Sequence, residues 1–305
     1  MRKWAVVIAF VGACGGQVSD ETDGTTVGTD TEALRPEDPP MLGLHKARGE
    51  ASAASSSADL AWHGGAILAS TVVVPIFWGT RWSDATWTGD KIAGLDSFHG
   101  GLGGSTYAGT NTEYSGTNGQ VGTGVTYDGY RLDTSAVTFH SSPRTSSILA
   151  EVCKVIGSGA VTNGYYPVYT DAPRKHAGYC AWHSYGQCNG VAVQFAFFFS
   201  LDGDPGCDPQ DTQTGHSQGL SALANVSGHE YSEAVTDPRN GGWYDSGGSE
   251  NADKCAWAWP SGAPPYVTFT NGSRWKIQGN WSNQAYDGGT GLPNGRGQLG
   301  CIFTK

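Results

Sequence analysis

Residues 66–78 read AILASTVVVPIFW, an apolar, β-branched run that predicts a buried strand. Ser83 is placed to cap a helix reaching about Phe98, with Ile92, Leu95 and Phe98 at helical spacing. Between residues 100 and 140, Gly-rich loops alternate with short strands. Ser142-Pro143 opens a second helix that carries Ile148, Leu149, Val152, Val155 and Ile156. Residues 165–169 and 191–199 predict strands. The second is apolar almost throughout, as a central strand covered on both faces must be. A polar loop follows at 202–214, then a helix over about 217–235 that Pro238 stops. Residues 241–305 alternate short aromatic strands with Gly, Pro and Asn turns. This order of elements predicts one α+β domain, loop-rich, with a mixed β-sheet and two or three helices.

Composition narrows the function classes. Charged residues are only 15% of the chain, aromatics reach 11%, and Gly occurs 46 times in 305 residues. Coiled coils and helical bundles need more charge and less Gly, so both are excluded. The net charge of −10 speaks against a nucleic-acid partner, which needs clustered Lys and Arg.

The first 58 residues have a different character from the rest. Arg2 and Lys3 precede a short apolar run, and Val11-Gly12-Ala13-Cys14 resembles a bacterial lipobox. Residues 1–14 are thus expected to be a lipoprotein-type signal, with Cys14 lipidated after cleavage. The apolar run is too short to span a bilayer. Residues 15–58 are rich in Gly, Thr, Ser and acids, with eight acids against three bases. They are expected to be a disordered acidic tether, because they have too little apolar surface to offset ordering entropy. The folded domain is expected over 59–305. Its location would be the bacterial cell envelope, as an outer-membrane lipoprotein, or the medium.

The remaining cysteines agree with export. Cys153, Cys180, Cys188, Cys207, Cys255 and Cys301 make an even set without a C-x-x-C pair, which suits three disulfides. Fifteen pairings are open on sequence alone. Cys255 with Cys301 is the favoured one, since both fall late in the chain on predicted strands.

The candidate chemistry lies in the segment SGHEYSEAVTDP at 227–238. Residues four apart share a helix face, so His229 and Glu233 point the same way, with Glu230 beside them. This is the arrangement of the zinc-protease H-E-x-x-H helix with Glu233 in place of the second His. In such a zincin-like helix two residues hold a metal, and the carboxylate beside the first takes a proton from the water that the metal activates. Glu250 is a downstream third ligand. The stretch around it resembles the downstream Glu helix of thermolysin-like proteases, in which a following Asp, here Asp253, supports the first His. Clustered acids and a His in a charge-poor chain call for a divalent metal, zinc or calcium. The bland alternative is an amphipathic helix with a solvated acidic face.

Several motifs together resemble the exordium-like (phosphate-induced protein) family, and its bacterial members most. They are Trp62-His63-Gly64-Gly65, Phe77-Trp78-Gly79, Tyr179-Cys180-Ala181-Trp182-His183-Ser184-Tyr185, and His229-Glu230 through Thr236-Asp237-Pro238. Trp243-Tyr244-Asp245 and Glu250 through Trp257 continue the match. The resemblance runs in order from about Ala61 to the C-terminus. It implies an exported, cell-wall-associated domain and draws attention to His229, but supplies no reaction. Plant members share the His-Glu pair and lack an acid where Glu233 stands.

His183 and His63 are candidates for substrate contact, and Asp237 for support of the ligands or for closing a turn. Two readings remain. One is a metal-dependent, peptidase-like hydrolase at the cell surface. The other is a non-catalytic surface protein that binds cell-wall polysaccharide or a partner, its acidic cluster holding calcium or nothing.

Overall fold

The computed structural model describes residues 38–50, 58–260 and 265–305. The expected signal segment with Cys14, and the expected tether at 15–37 and 51–57, lie outside the described residues.

One mixed sheet organises the domain. Its strands are β1 (Leu42–Lys46), β2 (Thr71–Val73), β3 (Ile76–Trp78), β4 (Val125–Tyr127), β5 (Arg131–Asp133), β6 (Gly164–Pro173), β7 (Tyr179–Cys188) and β8 (Val191–Ser200). The main path runs β1-β7-β8-β6-β2-β4, and β3 bridges β6 to β5. β8 is flanked on both sides, antiparallel to β7 and parallel to β6, which fits its continuous apolar sequence.

Three helices of twelve residues or more lie among the described residues: α1 (Lys91–Leu102), α2 (Thr145–Ile156) and α3 (Gln218–Thr236). Side chains alternate across a strand, so β7 shows which face each helix covers. A Cβ at Gly186 would meet Leu149 of α2, whereas His183, an odd number of positions away, reaches Glu233 of α3. The two helices therefore sandwich the sheet. The core between them is aromatic, with Trp182, Phe195, Phe197 and Phe198 fully buried. The α+β class, the mixed sheet and the single disulfide-stapled domain are as the sequence predicts.

Local departures have local causes. The run at 66–78 is two strands, because Pro75 lacks an N–H and splits it into β2 and β3, which share β6 and differ in their other partner, β4 or β5. Ser83 ends a 3-10 turn instead of capping a helix. Asp84 caps the one-turn helix Ala85–Thr88, accepting from Thr86 N and Trp87 N. Gly89 at φ 55° breaks that turn, and α1 begins afresh at Lys91. The strand β7 has no counterpart in the apolar pattern, since His183, Ser184 and Gln187 interrupt it.

Residues 38–50 correct the expectation of a disordered tether in that stretch. Leu42–Lys46 pairs antiparallel with β7 and forms the sheet edge. His45 and Ala47 are buried there, so the segment has the apolar anchor that its composition concealed.

Three disulfides join Cys153 to Cys188, Cys180 to Cys207, and Cys255 to Cys301. The first ties α2 to the end of β7, and the second ties β7 to the loop after β8. The third is the favoured pair, although Cys255 sits in a 3-10 turn (Asp253–Cys255), not on a strand.

Candidate metal centre

The helix α3 carries the centre. Ser217 caps it by accepting from Leu220 N, and Asp90 in turn accepts from Ser217 N. Its residues are mostly small, which lets neighbours approach on every side. A Cβ at Gly228 would crowd Tyr107, and one at Gly94 would collide with Leu220. All residues from Gly219 to Thr236 are buried. The solvated acidic face of the bland reading is thereby overturned: His229, Glu230 and Glu233 have no exposed surface.

Six groups converge on this helix face. His229 Nε2 lies 3.1 Å from Glu233 Oε1 and 3.6 Å from Asp253 Oδ1. From β7, His183 Nε2 lies 3.2 Å from Glu250 Oε1 and 3.9 Å from Glu233 Oε2. Two ligand sets have their donor atoms within 4.8 Å of one another, His183 with Glu230 and Glu233, and His229 with Glu233 and Asp253. Glu233 belongs to both, at the centre. These buried groups can hold a metal ion.

Hydrogen bonding within the protein leaves the cluster unsatisfied. Both oxygens of Glu230, Glu233 Oε2 and Glu250 Oε2 are buried without a hydrogen-bond partner, and His229 Nε2 has only its ion pairs with Glu233 and Asp253. Each orphaned buried polar atom costs roughly 1–3 kcal/mol. A set of them converging on one point is what a cation would satisfy.

The electrostatics agree. Burial, then the neighbouring Asp253 carboxylate, push the Glu233 carboxyl up to about 7. Burial and the adjacent acids hold Glu230 and Glu250 well above the usual carboxylate range, though the His229 charge opposes this for Glu230. Burial opposes the charged form of His229, yet Glu233 and Asp253 more than reverse it and raise its proton affinity. Burial and the His229 charge bring His183 down to about 3, so it is a neutral imidazole. Crowded acids that keep their protons for want of a counter-charge would release them to a divalent cation.

The positioning network reaches far along the chain. Gln278 Nε2 lies 2.9 Å from His229 Nδ1 and donates to Ala252 O, and the Gln278 carbonyl meets His45 Nε2. His45, on β1, lies edge-on to His229 at 4.3 Å. Asn225, one turn before His229 on α3, accepts from Gln278 N. Asp253 N donates to Glu233 Oε1 at 2.9 Å.

Several expected roles change in place. Asp253 was expected to support His229 from behind, but it faces Nε2, the same nitrogen as Glu233, while Gln278 holds Nδ1. His183, expected to meet substrate, is instead one of the converging groups. His63 stands outside: it is exposed and stacked 3.5 Å from Tyr244, which lines the cleft described next. Asp237 Oδ1 accepts from Gly241 N and Gly242 N, closing the turn after α3, and its Oδ2 is buried without a hydrogen-bond partner. Gln278, His45 and Gly43 escaped the sequence reading altogether, since nothing local marks them.

A cleft of about 480 Å³ opens onto the centre at Glu250 and Asp253. Gly43 and Leu44 form one wall, and the loops bearing Asp237, Tyr244 and Trp257 form the other. No helix among the described residues is long and apolar enough to cross a membrane. No family model matches the chain, and no curated protein matches it.

Proposed function

We propose that this chain is an exported, metal-dependent hydrolase that acts on peptides. The observation that carries this reading is the set of buried His and carboxylate atoms around Glu233, several of them without a hydrogen-bond partner, with a cleft that reaches Glu250 and Asp253 at its edge. His229, Glu233 and Asp253 would hold the metal, with His183 and Glu250 completing its surroundings. The second His near the ion thus comes from β7 instead of the helix, and an imidazole among the ligands suits zinc better than calcium, which prefers all-oxygen sites. A bound divalent cation supplies Lewis acidity and makes water a better nucleophile at neutral pH. Glu230 takes the proton from that water and can pass it to the departing amine. Its raised proton affinity suits the second task.

The three disulfides mark an oxidising, extracellular type of environment. Within it, we place the domain on a bacterial cell envelope through a lipid on Cys14. The exordium-like motifs at 179–185 and 229–238 lie at the centre itself, which fits the same reading. One observation favours the rival, a non-catalytic surface protein with a structural ion: His183, His229, Glu230 and Glu233 are all closed to solvent.

The test is metal analysis by mass spectrometry and casein hydrolysis for the oxidised wild type, His229→Ala and Glu230→Ala. Metal in the wild type and in Glu230→Ala, with activity only in the wild type, supports the hydrolase. Metal without activity in any of them supports the structural ion. Absence of metal from all three overturns both metal readings. Labelled palmitate that enters the wild type but not Cys14→Ala supports the anchor.

A further inference from the structure

The segment 38–50 is built into the domain in an unusual way. β1 is an edge strand, antiparallel to β7, with its register broken between Leu42 and His45. At the break Gly43 takes φ +49° and lies against Glu233 and His183, where a Cβ would collide with both. The segment therefore crosses directly over the metal centre. The cleft to Glu250 and Asp253 runs along its side.

The domain holds this segment by many backbone hydrogen bonds, with Ala47 in the core and Met41 and Leu44 packed against it. Thr145 Oγ1 donates to Pro39 O and Ser184 Oγ to Pro40 O, both at 2.6 Å. Trp257 Nε1 donates to Lys46 O at 3.1 Å. Ala47 N and Arg48 N donate to Gly178 O and Gly206 O. Carbonyl and N–H groups are common to every peptide, so these contacts fit any extended chain. Only His45 adds a fully buried polar side chain, through Gln278.

We propose that the edge of β7 is an acceptor groove for an extended peptide, and that residues 38–50 fill it as a displaceable internal occupant. Its departure uncovers Glu233 and His183 and lets another peptide lie across them. The proposal rests on the hydrolase reading for what that peptide would meet. It also accounts for a centre that is closed to solvent in a chain read as an enzyme. The seven residues 51–57, all Ala or Ser, join the occupant to the rest of the domain.

The test replaces residues 51–57 of the full chain with a seven-residue recognition site for a specific protease. The protein is cut and mixed with a labelled peptide of residues 38–50, or with a labelled casein-derived peptide. Binding is read by fluorescence polarisation with and without zinc, and folding by circular dichroism. Expected are no binding before the cut, binding of both peptides after it, and at least tenfold weaker binding of the 38–50 peptide carrying Gly43→Val. A domain that unfolds when the segment leaves, a segment that never exchanges, or a cut protein that binds only its own peptide overturns the proposal. Turnover is not needed for this readout. A cut protein that binds both peptides and cleaves neither sinks the hydrolase reading and leaves the groove standing.

Discussion

Gly43 lies over Glu233 with no room for a side chain between them, and its φ of +49° is one that L residues rarely adopt. The sheet edge meets the metal centre at this contact and again where His45 lies edge-on to His229. Gly43→Val is expected to destabilise the protein by roughly 1–3 kcal/mol through strain and collision. Urea unfolding measures the loss. Hydrogen exchange should accelerate in residues 42–46 and stay slow in 191–200. Uniform acceleration across both strands would contradict the local origin of the effect.

Gln278 fixes the ring of His229 from the side away from Glu233. Gln278→Leu keeps most of the volume and removes three hydrogen bonds. Zinc affinity should fall roughly 10- to 100-fold, the usual effect of removing a group that orients a ligand. Titration calorimetry against the wild type checks this, and an unchanged affinity would remove Gln278 from the centre.

The raised Glu233 carboxyl gives a pH dependence with a definite sign. At pH values between its ordinary 4.5 and its folded value of about 7, the folded chain keeps a proton that the unfolded chain has lost. The contribution of Glu233 to the stability of the metal-free protein is therefore fully present below about pH 4.5 and is lost as pH rises toward about 7. Zinc affinity should rise over the same window, because the proton must leave before the metal binds. Glu233→Gln should remove this contribution, and the buried His183, lowered to about 3, adds a slope of opposite sign to both proteins. Urea midpoints in EDTA for wild type and Glu233→Gln across this range decide the matter, and a difference between the two that does not change with pH would refute it.

The Cys180–Cys207 disulfide anchors β7 three positions before His183. Replacing both cysteines with Ser should cost about 2–5 kcal/mol, as loss of a native disulfide commonly does. Zinc affinity should fall as well, since His183 then rests on a looser strand. Thermal unfolding and metal titration of the double variant measure the two effects. A full loss of stability with unchanged affinity would show that β7 needs no staple to place His183.

The helix at the centre was readable because its determinants are local. A Ser cap, helical spacing and a terminal Pro lie within about twenty residues, and His229 and Glu233 share a face by helical geometry alone. β8 was readable for the same reason. β7 was not: its polar residues break the apolar pattern, and they are buried only because α2 and α3 cover both faces. The strand at 42–46 was hidden by its acidic, Gly-rich surroundings, and its anchor is the pocket around His45.

The sequence by itself determined the α+β class, the export-type cysteine set and the placement of His229, Glu230 and Glu233 on one helix. Propensity, periodicity and spacing act over one or two turns, so a single chain read in order suffices for them. Only the tertiary structure decided that His183, and not a second helical residue, faces Glu233, that Asp253 shares the Nε2 side of His229, and that Gln278 and His45 hold the far side. Those contacts depend on sheet register and on loops closing over long separations. No local pattern records where such segments meet.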